Sequence, residues 1–298
     1  MSRFRPLAHV ILLVSGAAAC AADGALAAGR PIAAPPSAAV QAQAGTCDAT
    51  LDEAALASAG WQRVFNDDFD GTLAQWSTWT GGAYNNELQH YQAANLSLAN
   101  GVLSIAARRE TVTGATNPWD PTPKTFAFTS GRIESATAFS AGVTGPRVRM
   151  SARIRLPAGT GMWPAFWSYG DPWPTQGEID ILEARGSAPY EYQTAYWYGR
   201  RAGRNLVRNS AKVIASAASL MDCWHVVEVV WAQNTLTFLL DGQVVDTKSG
   251  GYIPDMYRKQ QRVVLNVAVG GDFFTNLSPA AIVPGTLQAD WVKVFTAN

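Results

Sequence analysis

The sequence predicts an all-β fold, a sandwich of two antiparallel sheets. Three observations carry that expectation. Apolar residues recur with period two, the runs are rich in Val, Ile, Trp and Phe, and glycine-containing turns separate them at short intervals. In VRMSARIRLP, Val148, Met150, Ala152, Ile154 and Leu156 alternate with Arg149, Ser151, Arg153 and Arg155, the pattern of a half-buried strand with a polar outer face. LSLANGVLSIAA turns back at Asn100-Gly101 and TLTFLLDGQVVDT at Asp241-Gly242, dipeptides suited to tight hairpins. HVVEVVW, QRVVLNVAV and DWVKVF supply further strands. One peripheral helix is expected in TLDEAALASAG, with Thr50 and Glu53 spaced as a capping box and Gly60 as its stop.

Residues 1–27 read as a secretory signal. MSRFR is a basic start, PLAHVILLVSGAAA is an apolar run too short to span a membrane, and Ala25-Leu26-Ala27 offers a cleavage site. Acylation at Cys20 is the competing reading, in the weak context Ala17-Ala18-Ala19. Residues 28–46 are Ala/Pro/Gln-rich and carry almost no large apolar side chain, so they read as a linker. Residues 47–298 then form one β-sandwich domain, with no internal linker composition. The expected location is outside the cell or in the periplasm.

The 298-residue chain has a formal charge of zero, and cleavage after Ala27 changes it only to −1. Such a chain offers no electrostatic footprint for nucleic acid. No second long apolar run exists, so no membrane-spanning segment is expected. Cys47 and Cys223 remain after cleavage and are expected to pair in an oxidising compartment; two free buried thiols are the alternative.

The chemistry-bearing stretch is GEIDILEARG, residues 177–186. Strand residues i and i+2 share a face, so Glu178 and Asp180 point together while Ile179 and Ile181 point to the core. Glu183 has the wrong parity, and a regular strand would bury its carboxylate unpaired. A β-bulge at Ile181-Leu182 resolves the conflict, since one extra residue returns Glu183 to the acidic face. Two carboxyls about 5–5.5 Å apart are the equipment of a retaining glycosidase. A solvated acidic face paired with Arg185 is the alternative use of the same residues.

Aromatic supply favours a sugar. The segment MWPAFWSYGDPW precedes the acids, and the chain holds 11 Trp. Trp163, Ala165 and Trp167 share a parity, and flat aromatic faces stack on sugar rings at low entropic cost. Core packing is the competing account of any one of these rings.

On these residues the sequence resembles glycoside hydrolase family 16, in its laminarinase-like branch of endo-β-1,3-glucanases. The likeness runs through VFNDDFDG, YNNELQHY, LSIAARRE, TSGRIES, ARIRLPAGTGMWPAFW, GEIDILE, WHVVEVVW, FLLDGQVV, LNVAVGG and ADWVKVF in order. It implies a β-jelly-roll sandwich of two antiparallel sheets with a concave substrate cleft. It implies Glu178 as nucleophile, Asp180 as its supporting acid and Glu183 as acid/base, with retention and without a catalytic cofactor. Asn86 and Arg132 fall on blocks that supply polar contacts near the cut site. Trp167 and Trp173 resemble stacking platforms, and Asn266 lies on a cleft-facing strand. A structural calcium is implied at a carboxylate of the final strand, here Asp290, for which a solvated strand residue is the alternative. The implied partner is a β-glucan polysaccharide, bound by a monomer.

One position departs from the pattern. Where the family has a His in the strand after the acids, this chain has Trp197 within Ala195-Tyr196-Trp197-Tyr198-Gly199. That substitution leaves open mixed-linkage glucan, another β-linked polysaccharide, or glycosyl transfer to a sugar. A carbohydrate-binding module without turnover is the third class, and the three intact acids weigh against it.

Overall fold

The computed structural model describes residues 45–298. The expected signal segment 1–27 and nearly all of the linker 28–46 lie outside the described residues. Among the described residues no helix is long and apolar enough to cross a membrane.

Two large antiparallel sheets carry the fold. The first has the order β17 (Gln243–Ser249), β16 (Thr235–Leu240), β15 (His225–Trp231), β10 (Arg147–Arg155), β19 (Thr286–Ala297), β5 (Val102–Ala106) and β4 (Leu96–Ala99), with β1 (Gln62–Asp67) also on β19. The second runs β14 (Lys212–Ala215), β13 (Glu191–Trp197), β12 (Glu178–Glu183), β11 (Met162–Tyr169), β18 (Gln261–Val269), β9 (Arg132–Phe139) and β2 (Trp76–Thr78). Two ribbons complete it: β3 (Gln89–Tyr91) with β8 (Phe128–Ser130), and β6 (Val112–Asn117) with β7 (Asp120–Phe126). The chain crosses from the first sheet to the second between β10 and β11, and β11 then pairs directly with β12, as a sandwich with crossing connections allows.

The period-two pattern builds the core. Val148, Met150, Ala152 and Ile154 of β10 and Val227 and Val229 of β15 join one buried cluster with Phe166, Ile179, Val263 and Leu265 of the other sheet. Asn100-Gly101 and Asp241-Gly242 have positive φ at both positions, 52° and 71° and then 51° and 78°, and close the β4–β5 and β16–β17 hairpins.

One local expectation needs correction. The helix α1 (Glu53–Ser58) is capped by Asp52, whose carboxylate accepts from the Ala55 amide at 2.8 Å, and not by Thr50. The outer face of β10 is polar as expected, with Arg149 and Ser151 buried and Arg153 and Arg155 partly exposed. Arg149 forks onto Glu228 with Nε and Nη2 both at 2.6 Å, and Ser151 donates to the same carboxylate at 2.6 Å. Glu228 and Ser151 are fully buried. Cross-strand pairing satisfied these groups, which alternation alone could not show.

Cys47 and Cys223 form a disulfide with Cα atoms 5.0 Å apart. The Arg153 guanidinium lies 2.8 Å from the Asp290 carboxylate, which is therefore already ion-paired. Among the described residues no group of three or more His, Cys, Asp or Glu side chains is placed to hold a metal ion. The donor set at Asp290 does not fit the implied calcium, because a cation would have to displace a guanidinium and find further oxygens.

Candidate active site

Strand β12 carries the three acids, and its register shows how they meet. Against β11, Glu178 pairs with Tyr169, Asp180 with Trp167 and Glu183 with Ala165, with the register shifting so that Ile181 has no partner. Against β13 the shift falls between Asp180 and Glu183 as well. Ile179, Ile181 and Leu182 are all buried, at 0–1% exposure, while Glu178 and Glu183 are half-buried. The bulge lets two consecutive apolar side chains enter the core and turns Glu183 to the side of the other two acids.

Cross-strand rows then define the site floor. One row reads Gln193, Glu183, Ala165, Asn266, Arg132 across β13, β12, β11, β18 and β9. The next reads Ala195, Asp180, Trp167, Val264, Glu134. The small Ala165 sits between Glu183 and Asn266, so the first row is a shallow trough with a carboxyl on one side and an amide on the other.

Each acid is held by an indole. Trp173 Nε1 donates to Glu178 at 2.7 Å, Trp197 Nε1 to Asp180 at 2.8 Å, and Trp163 Nε1 to Glu183 at 3.0 Å. An indole is a neutral donor with a single N–H. It fixes a carboxyl in place without supplying the positive charge that would force it to ionise. Trp197 thus brings a donor to Asp180.

Electrostatics follow from that choice. Burial, then the Glu183 charge, pushes the Glu178 carboxyl up to about 8, against the opposing pull of the Trp173 hydrogen bond and Arg132. Burial and the Glu178 charge raise Asp180 well above the ordinary range. Burial and the Asp180 charge do the same to Glu183, with Glu87 adding to the effect. Three carboxyls that each feel a neighbour's charge share fewer than three negative charges at neutral pH. The cluster is equipped to hold a carboxylate and a carboxylic acid side by side.

The other expected site residues are placed as follows. Arg132 is 5% exposed, lies 2.6 Å from Glu134, and stacks over Trp79, Trp167 and Tyr169 at 4.3, 4.9 and 5.4 Å. Asn266 accepts from Trp167 Nε1 at 2.7 Å and donates to the Tyr91 hydroxyl at 3.0 Å. Trp167 is also stacked on Tyr169 at 5.0 Å, so part of its ring is engaged within the protein. Asn86 is exposed, has φ +54°, and donates to Asp272 at 2.9 Å. It ties its loop to the one that carries Phe273, which stacks on Trp163 at 4.6 Å.

Two groups were not singled out from the sequence. Glu87, inside the YNNELQHY block, is buried and accepts from Gln89 at 2.6 Å and from the Tyr91 hydroxyl at 3.3 Å. Burial pushes its carboxyl up to about 7. Glu134, in TSGRIES, accepts from both Arg132 and Tyr169. The signal available was a single acid inside each block, Glu87 in YNNELQHY and Glu134 in TSGRIES, which is weak by itself.

Residues 74–293 match the family profile described as Glycosyl hydrolases family 16. A glucan endo-1,3-β-glucosidase of Cryptopygus antarcticus is 31% identical, over 82% of this chain and 95% of that protein. A glucan endo-1,3-β-glucosidase A1 of Niallia circulans is 28% identical over 80% of this chain, which spans only 38% of that relative's length. The structure of an endo-β-1,3-glucanase from Pyrococcus furiosus superposes with a TM-score of 0.67 at 28% identity, covering 80% of this chain and 95% of that one. The fold is the jelly-roll sandwich of such enzymes. By sequence and by architecture, this chain belongs to glycosyl hydrolases family 16.

Proposed function

We propose that the chain is a retaining endo-glycosidase that cuts β-1,3-linked glucan through a covalent intermediate on Glu178. The observation that carries this reading is the bulge in β12, which gathers two glutamates and a central aspartate on one face, each accepting from a tryptophan indole. The relatives' activities support the substrate class.

In the first step the Glu178 carboxylate attacks the anomeric carbon. Glu183 donates its proton to the departing glycosidic oxygen, so the C–O bond breaks as the ester forms. In the second step Glu183 takes a proton from water, the water oxygen attacks the same carbon, and Glu178 leaves as carboxylate. Asp180 stands between them and, fixed by Trp197, biases where the shared protons reside. The steps use protein carboxyls and water. Export and action as a monomer belong to the same reading, and the disulfide is in keeping with an oxidising compartment.

The experiment is a polysaccharide panel with product sizing. Internal cuts in laminarin, abolished in Glu178→Gln, are expected. Full activity in that variant refutes the assignment. Cleavage of mixed-linkage glucan in preference to laminarin, or products longer than the substrate, points instead to the alternative specificity or to glycosyl transfer.

A further inference from the structure

The β6–β7 hairpin carries the most exposed large hydrophobic side chain among the described residues, Trp119, at 81% exposure. Single exposed aromatics are ordinary on protein surfaces, so exposure alone decides nothing. Three observations set this one apart. The hairpin tip is fixed: the Asn117 carboxamide accepts from the amides of Trp119 and Asp120 at 2.9 and 3.0 Å, and Asp120 accepts from the Thr122 amide at 3.0 Å. The hairpin is docked, because Gly82 donates to the Ala115 carbonyl at 3.1 Å and a Cβ at Gly82 would collide with Thr116. At its base Phe126 is 2% exposed and packs on His90 at 5.4 Å.

The third observation is position. The Thr116 carbonyl, three residues before Trp119, lies against Gly82, whose own carbonyl accepts from the Trp79 indole at 3.4 Å. The Trp79 amide donates to the Arg132 carbonyl of β9 at 3.1 Å, and the Arg132 guanidinium stacks on the Trp79 ring at 4.3 Å. The hairpin therefore extends the rim of the site past β9, with Trp119 at its tip. That strand is three strand spacings from β12, about 14 Å.

We infer that Trp119, at the tip of this fixed hairpin, forms a distal subsite that stacks one glucosyl ring of a long β-glucan chain, several sugars from the cut. This rests on the glucan reading above. The chemistry is that of a rigid aromatic plane offered to the apolar face of a pyranose. A short oligosaccharide bound across the acids does not reach Trp119, whereas a polymer does.

The test compares kcat/KM on polymeric laminarin with kcat/KM on the shortest laminari-oligosaccharide cleaved, for wild type, Trp119→Ala and Trp119→Tyr. The polymer-to-oligosaccharide ratio falls about 3- to 10-fold in Trp119→Ala, mainly through KM, and Trp119→Tyr restores most of it. An unchanged ratio in an active enzyme overturns the subsite and leaves the glucan reading standing. An equal loss on both substrates overturns it too, since that marks a structural role. Wild-type protein that cuts no β-glucan removes the glucan reading and, with it, the ring assigned to Trp119.

Discussion

Replacing Glu178 by Gln should stabilise the protein. The folded structure lifts this carboxyl from 4.5 to about 8, chiefly by burial and the Glu183 charge. The folded state therefore binds a proton over a window in which the unfolded chain has released it. Stability is fully present below pH 4.5 and declines as pH rises toward 8. At pH 7 the window already crossed spans roughly 2.5 pH units at 1.36 kcal/mol each, a ceiling of about 3 kcal/mol. Sharing of charge with Asp180 and Glu183 reduces it, so a gain of about 1–3 kcal/mol is expected in Glu178→Gln. The amide oxygen still accepts from Trp173, so no donor is orphaned. Urea unfolding of both proteins at pH 7 and pH 4 reads the effect, with the midpoint rising at pH 7 and the gain disappearing at pH 4. A destabilised variant at pH 7, or a gain of equal size at both pH values, refutes the reasoning.

Trp173→Phe removes the N–H that favours ionised Glu178, and hydrogen bonds to charged groups are worth about 1.5–3 kcal/mol. The limb of the kcat/KM profile that rises with pH therefore moves up by about one pH unit or more; an unmoved limb contradicts the pairing. In the wild type, both limbs lie above the ordinary carboxylate value of 4.5, because the nucleophile must lose and the acid must keep a proton in a site that raises both. A rising limb near 4.5 contradicts that account. Glu228→Gln leaves Arg149 buried against a neutral amide in the other sheet and should cost about 3–5 kcal/mol in urea unfolding, with kcat unchanged in the protein that remains folded.

What was legible in the sequence follows physical range. Alternation in VRMSARIRLP and the Asn-Gly and Asp-Gly turns report local backbone geometry, and they placed the sheets. The parity conflict at Glu183 is also local, and its resolution by a bulge could be worked out from EIDILE alone. Partners across strands could not. Asp290 meets Arg153 from 137 positions away, and Glu228 meets Arg149 from 79; no spacing rule reaches that far. The three indole donors lie between, since Trp163, Trp173 and Trp197 were visible as aromatic supply. Which acid each one serves depends on the register of β11 and β13 and on the path of the loop 171–176.

The central claim is that the bulge in β12 makes Glu178 the nucleophile and Glu183 its acid. A 2-fluoro laminaribiosyl donor with a good leaving group, followed by peptide mass spectrometry, tests it most directly. One sugar adduct on the peptide GEIDILEAR, localised to Glu178, with the β-anomer as the first product seen by NMR, is the predicted result. A label on Glu183 or Asp180, or an α-anomer released first, contradicts it.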